Sequence, residues 1–290
     1  MRLAQRISTL AMAACGCALA LAGCTGDAAD LSTGEASTEA EDGAELGSTV
    51  EVIETLNRDP SFTQGLELLE DGTMVHSRGG YGESGIDILS PSGEVLRSRE
   101  LPDDEFGEGV TVVRDGDRDG DFTDGSPGLT AYQLTWKSGV VHTWSVPDLV
   151  EGPSLQIEGE GWGLCYDDSR EALWQSDGSA TLRLLSVGSL EVQESVEVTE
   201  DGVPVTQLNE LDCAGGGVWA NIWKSNDIVA IEPETGEVTD RVDLSGVVQT
   251  EGADGPQDVL NGLASNNSEG TMMVTGKNWD HLYRVTLGQD

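Results

Sequence analysis

One feature constrains this chain above all others: it repeats itself five times. A short motif recurs as Gln64-Gly65-Leu66, Glu108-Gly109-Val110, Trp162-Gly163-Leu164, Asn209-Glu210-Leu211 and Asn261-Gly262-Leu263, at intervals of 44, 54, 47 and 52 residues. Each unit carries a second matching segment: Val75-His76-Ser77-Arg78, Gln133-Leu134-Thr135-Trp136, Gln175-Ser176-Asp177, Asn221-Ile222-Trp223 and Thr275-Gly276-Lys277. Alternating stretches such as Ile228-Val229-Ala230-Ile231 and turns such as Pro233-Glu234-Thr235-Gly236 fill the rest. A period of this size built from short strands is that of a propeller with one four-stranded blade per repeat. Five in-phase matches disfavour a β-sandwich with chance likeness between strands. The fold expected over residues 49–290 is therefore all-β, a five-bladed β-propeller. The last unit has room for only three strands, and Val50–Glu54 alternates like a strand ahead of the first unit. Pairing of the N- and C-terminal strands is expected to complete the fifth blade and close the ring.

The repeats begin late. Residues 1–23 hold Arg2, Arg6 and an apolar run ending at Leu21-Ala22-Gly23, directly before Cys24. This is the pattern of a secretory signal, and its ending resembles a bacterial lipobox, which implies cleavage before Cys24 and lipid attachment there. The run is shorter than the roughly 20 residues a spanning helix needs. Residues 24–48 are rich in Ala, Ser, Thr, Gly, Asp and Glu and lack aromatics, so they read as a disordered acidic tether. The expected location is extracytoplasmic, touching the membrane only through the lipid. Once the signal and Cys24 are set aside, Cys165 and Cys213 remain, near-equivalent in neighbouring repeats. They are either a disulfide or two separate buried thiols.

A formal charge of −38 excludes a nucleic-acid partner, whose phosphates would be repelled. The three histidines lie far apart and no Cys-x-x-Cys occurs, so no zinc site is expected. In a propeller, equivalent positions converge on the central axis. The converging set is Gln64, Glu108, Trp162, Asn209 and Asn261 from first strands, with Arg78, Trp136, Asp177, Trp223 and Lys277 from second strands. The glycines and leucines repeat while the residue before them changes its chemistry, as expected for one asymmetric site assembled from five blades. The chain has only three lysines, Lys137, Lys224 and Lys277, all in or beside the second-strand motif. Four of the seven tryptophans, Trp136, Trp162, Trp223 and Trp279, also fall on these motifs. Aromatic walls with one carboxylate and several amides suit a small polar ligand with an aliphatic stem.

The segments Phe62-Thr63-Gln64-Gly65-Leu66, Phe106-Gly107-Glu108-Gly109, Gln133-Leu134-Thr135-Trp136-Lys137, Gly161-Trp162-Gly163-Leu164, Leu208-Asn209-Glu210-Leu211, Ala220-Asn221-Ile222-Trp223, Val259-Leu260-Asn261-Gly262 and Thr275-Gly276-Lys277 resemble glutamine cyclotransferases of the plant and bacterial type. The resemblance spans about residues 50–287. It implies a five-bladed propeller that converts N-terminal glutamine of peptides and proteins to pyroglutamate with release of ammonia, an acyl transfer needing no zinc or other cofactor. It also implies Glu108 as the acid/base carboxylate, and the chemistry expected of that reaction makes Lys277 catalytic as well, holding the carboxamide oxygen as negative charge develops. Phe62, Gln64, Trp136, Trp162, Asn209, Trp223 and Lys277 are implied as the pocket, and Asn261 joins the expected substrate-binding residues from the converging positions. The chain departs from the family's pattern at Arg58-Asp59-Pro60, at His76-Ser77-Arg78 and at Cys165.

Two readings compete with this one. The first is a catalytically silent surface propeller that binds peptides or sugars. A propeller oxidoreductase with a quinone is the other, and the chain lacks the basic pocket it would need. Retention of Glu108 with Lys277 favours the enzyme, expected as a monomer. Asp115, Asp117, Asp119 and Asp121 have the alternate spacing that opens a calcium loop, although Ser126 stands where the helix-loop-helix version places a glutamate. They form either a structural calcium site or a solvated acidic hairpin tip; calorimetric titration of calcium into metal-stripped protein distinguishes the two.

Overall fold

The computed structural model describes residues 49–114 and 128–288. The signal segment, Cys24 with its tether, and the Asp115–Asp121 loop lie outside the described residues. Strand β1 (Thr49–Asn57) leads into blade one, formed by β2 (Thr63–Leu68), β3 (Met74–Arg78), β4 (Gly85–Leu89) and β5 (Val95–Glu100). Blade two is β6 (Gly107–Arg114), β7 (Leu129–Thr135), β8 (Val140–Val146) and β9 (Leu155–Gln156). Blade three is β10 (Leu164–Asp167), β11 (Ala172–Gln175), β12 (Thr181–Ser186) and β13 (Val192–Glu197), followed by a small hairpin of β14 (Thr199–Glu200) and β15 (Val203–Pro204). Blade four is β16 (Leu208–Ala214), β17 (Gly217–Ile222), β18 (Asp227–Ile231) and β19 (Val238–Asp243). Helix α1 (Ser245–Glu251) then precedes β20 (Leu260–Asn266), β21 (Thr271–Gly276) and β22 (His281–Gly288) of blade five.

The ring closes as its alternating ends require. β1 pairs antiparallel with β22 from Thr49 opposite Gly288 to Asn57 opposite His281, so the first strand among the described residues is the outermost strand of the last blade. Apolar burial is divided into five clusters, each filling the space between two neighbouring blades. Period-2 alternation produces this: each inner strand presents one apolar row to the blade before it and one to the blade after. Cys165 on β10 and Cys213 on β16 are joined in a disulfide across blades three and four, with Cα atoms 5.3 Å apart.

Towards the axis the blades meet backbone to backbone. A Cβ on Gly65 would lie 2.5 Å from the Val110 nitrogen, one on Gly109 2.7 Å from the Trp162 carbonyl, and one on Gly163 2.0 Å from the Asn209 carbonyl. In this position of the repeat blade four carries Glu210 instead of glycine. Its buried carboxylate reaches across to blades one and five, accepting hydrogen bonds from the backbone N–H of Leu66 at 3.2 Å and of Leu263 at 2.9 Å.

Two further acids lie close by. Asp212 accepts hydrogen bonds from the N–H and the hydroxyl of Ser265, and Glu67 accepts one from the Thr111 hydroxyl at 2.8 Å. Desolvation raises all three: Glu67 to about 8, Asp212 to about 6, and Glu210 well above the usual carboxylate range. The folded protein therefore holds protons that the unfolded chain gives up near pH 4, and stability contributed by them is lost as pH rises through the folded values. We expect the melting temperature to fall between pH 5 and 8. Asp212→Asn keeps an acceptor for Ser265 without the titration and should flatten that slope in scanning calorimetry. An unchanged slope would remove Asp212 from the account.

Candidate active site

The repeat positions four side chains by the same local device. The first two strands of blades one, two, four and five lose register at Thr63/Gly65, Gly107/Val110, Leu208/Leu211 and Leu260/Leu263. A bulge re-aims the residue it contains, and these bulges hold Gln64, Glu108, Asn209 and Asn261. Backbone ties between blades fix them. The Ser77 hydroxyl donates to the Glu108 carbonyl, and the Ser176 hydroxyl to the Asn209 carbonyl at 2.6 Å. Gly109 N–H reaches the Trp162 carbonyl at 2.7 Å.

The cavity so formed has a volume of about 420 Å³ and is lined by Phe62, Gln64, Phe106, Glu108, Trp136, Trp162, Asn209, Trp223, Gln257 and Lys277. Its walls are aromatic. Phe62 and Phe106 meet edge-on at 6.0 Å, Phe106 and Trp136 at 5.7 Å, and Trp162 and Trp223 at 5.7 Å. Glu160 joins the two halves by accepting the indole N–H of Trp136 at 2.8 Å and of Trp162 at 3.1 Å on one carboxylate oxygen. Lys277 sits over the Phe62 ring, its Nζ 4.9 Å from the centroid.

Inside this cage Glu108 and Lys277 are both 5% exposed, so the only ionisable groups among the lining residues are nearly dry. Burial drives Glu108 well above the usual carboxylate range; the Lys277 charge opposes this and Glu160 adds to it. Burial likewise lowers Lys277 to about 8, against the pull of Glu108. Gln64 is oriented from behind: Asn261 donates to its Oε1 at 3.2 Å and to the Thr63 carbonyl at 3.0 Å, which leaves the Gln64 amide hydrogens for the cavity.

Residues 27–287 match the glutamine cyclotransferase family. The chain belongs to that family. It is 31% identical over 247 residues to a glutaminyl-peptide cyclotransferase of Arabidopsis thaliana, covering 83% of this chain and 72% of that protein. The crystal structure of the Myxococcus xanthus glutaminyl cyclase superposes with a TM-score of 0.73 at 32% identity, covering 84% of this chain and 98% of the other.

Within this cyclotransferase the structure corrects part of the converging set. Asn261 does not line the cavity; fully buried, it supports Gln64 from the layer behind. Arg78 turns away to Asp87 and Glu100, and Asp177 is held by Arg183 at 2.7 Å. Trp279 is a core residue whose indole donates to the Asp258 carbonyl. Of the three lysines only Lys277 enters the cavity, while Lys137 and Lys224 lie outside on the rings of Trp136 and Trp223.

Phe106 and Glu160 are additions, and the repeat held their signal: each stands two residues before its motif position, as Phe62 does. Gln257 had none. It rides the loop after α1, whose Glu251 ties that helix to blade five through Asp280 N–H, His281 and Tyr283. Among the described residues no group of three or more His, Cys, Asp or Glu is placed to hold a metal ion.

Glu160→Gln retains an acceptor for the indoles but removes a negative charge near Glu108. The Glu108 carboxyl should then titrate at lower pH than in wild type, measured by carbon-13 NMR. An unmoved titration would show that Glu160 acts on the tryptophans alone.

Proposed function

We propose that the cavity cyclises the N-terminal glutamine of peptides by proton transfer through Glu108. One observation carries this: a single buried carboxylate and a single buried ammonium share a desolvated aromatic cage. The aromatic walls grip the aliphatic stem of glutamine and fold it so that its α-nitrogen faces its own γ-carboxamide carbon, a near-attack arrangement. The Glu108 carboxylate removes a proton from the amine as the new C–N bond forms. Lys277 and the Gln64 amide stabilise the negative charge that develops on the carboxamide oxygen. The tetrahedral intermediate then collapses: the protonated Glu108 returns its proton to the departing nitrogen, the old C–N bond breaks, and ammonia leaves. Glu108 ends as it began. A carboxylate whose proton affinity burial has moved toward neutrality suits both halves of this exchange.

The same reading places the enzyme outside the cytoplasm on a lipid attached to Cys24, supported by the signal-like residues 1–23 and the Leu21-Ala22-Gly23-Cys24 ending. Radiolabelled fatty acid should enter the wild-type protein and not Cys24→Ala.

For the chemistry, Glu108→Gln should fold and bind peptide while losing at least about a hundredfold in kcat, the lower end of what general acid–base assistance contributes. The pH profile of kcat/KM should be bell-shaped, its acid limb set by Glu108 and its alkaline limb near 8 by loss of the Lys277 charge. Ammonia release from a Gln-initiated peptide measures both. Near-normal turnover in folded Glu108→Gln would assign the proton to another group.

A further inference from the structure

Beside the catalytic cavity lies a second one, of about 460 Å³. It is bounded by the Arg58–Phe62 crossover, by blade one and by Asn278 of blade five. The two cavities share Phe62 and Phe106 as walls, and successive residues, Lys277 and Asn278, line one and then the other. The second space therefore lies directly beside the first, with the phenylalanine pair as their common boundary. The apolar cluster between blades five and one is also the smallest of the five, with six buried residues, and polar side chains, Arg58, His76, Arg78 and Asp87, line the space beside it.

The charges in this cavity are unequally satisfied. Asp87 is engaged by His76 Nδ1 and Arg78 Nε, each at 3.3 Å, and by the Ser98 hydroxyl at 2.5 Å. Arg78 also binds Glu100 and the Glu83 carbonyl. Burial lowers the pKa of His76 and favours its neutral form. Arg58 differs. Seven of the nine arginines among the described residues have a carboxylate oxygen within 4.0 Å. Of the other two, Arg99 is exposed on an outer strand and Arg58 faces this cavity.

Arg58 makes only neutral contacts: Nε to the Asp59 carbonyl at 3.3 Å, one terminal nitrogen to the Thr275 hydroxyl at 3.5 Å, the other to the Ser61 hydroxyl. The acids whose fields reach it are Asp87, Glu251 and Asp59, and desolvation still pulls its pKa down to about 10. A half-buried guanidinium without a direct carboxylate partner, in a chain with 53 acidic residues, is one that an incoming anion would stabilise.

We propose that this cavity is the subsite for the residue following the N-terminal glutamine, and that Arg58 there selects a carboxylate side chain, Asp or Glu. The proposal rests on the cyclotransferase reading. Glutamate suits the site because its carboxylate can take a bidentate pair from the guanidinium, while Phe62 and Phe106 cover its methylenes.

The test compares Gln-Glu-Ala-amide with the isosteric neutral Gln-Gln-Ala-amide and with Gln-Lys-Ala-amide; the amidated ends remove the terminal carboxylate. Wild type should favour the Glu peptide over the Gln peptide by about tenfold or more in kcat/KM, equivalent to about 1.4 kcal/mol, and should disfavour the Lys peptide. In Arg58→Gln the Glu-to-Gln ratio should collapse towards one, and Arg58→Lys should keep part of it. Equal rates on the Glu and Gln peptides in wild type would overturn the proposal, as would a ratio that survives in Arg58→Gln. Calorimetric binding of the same peptides reads the subsite without turnover. Selective binding of the Glu peptide with no ammonia released would therefore uphold the subsite and indict the cyclase reading alone.

Discussion

The rest of this structure depends on how closely five inner strands can approach one axis. Glycine at the repeated position lets the strand of one blade lie against the backbone of the next, with Cβ positions that would fall 2.0–2.7 Å from the neighbouring main chain at Gly65, Gly109 and Gly163. No side chain can be inserted there without moving the ring. The fourth repeat breaks the rule, and Glu210 reaches from blade four to amides of blades one and five. One acidic side chain therefore ties the first and last blades together near the axis, independently of the β1–β22 pairing at the rim.

The same crowding sets up the chemistry. In blades one, two and four the residue at the motif position sits in a bulge and is aimed into one pocket, to which all five repeats contribute. Aromatic walls then exclude water from Glu108 and Lys277. Burial pushes their proton affinities towards each other, Glu108 upward and Lys277 downward, while their mutual attraction resists both shifts. Desolvation outweighs attraction for each. A carboxylate and an amine that would be fully ionised in water are thus brought into the range where proton exchange with a substrate amine is easy. Glu160, outside the cage, contributes geometry through two indoles and charge through its field.

Much of this was legible in the chain itself. The repeat interval sufficed for the five blades, and the missing strand in the last unit sufficed for the closure. Variation at the motif position marked Gln64, Glu108, Trp162 and Asn209. The same reasoning failed at Asn261, because equivalence in the repeat fixes where a backbone bulge lies and not how deep its side chain ends: the bulky Gln64 occupies the space in front. It failed for Arg78 and Asp177 because partners on neighbouring strands, Asp87, Glu100 and Arg183, compete for side chains that local sequence aims at the axis.

Sequence alone determined what is local and periodic: strands, turns, blade number, glycine positions, and the residue types delivered to one end of the axis. These depend on backbone sterics and on apolar alternation, which act over a few residues and repeat with the chain. Only the tertiary structure decided what depends on distance between repeats: the Cys165–Cys213 bond, the Glu160 bridge between two indoles, the entry of Gln257 from the loop after α1, and the Arg58 guanidinium beside the catalytic cavity with hydroxyl and carbonyl partners but no carboxylate. Desolvation and pairing fall off within a few ångströms, and no spacing along the chain encodes separations that small between residues that lie far apart in sequence.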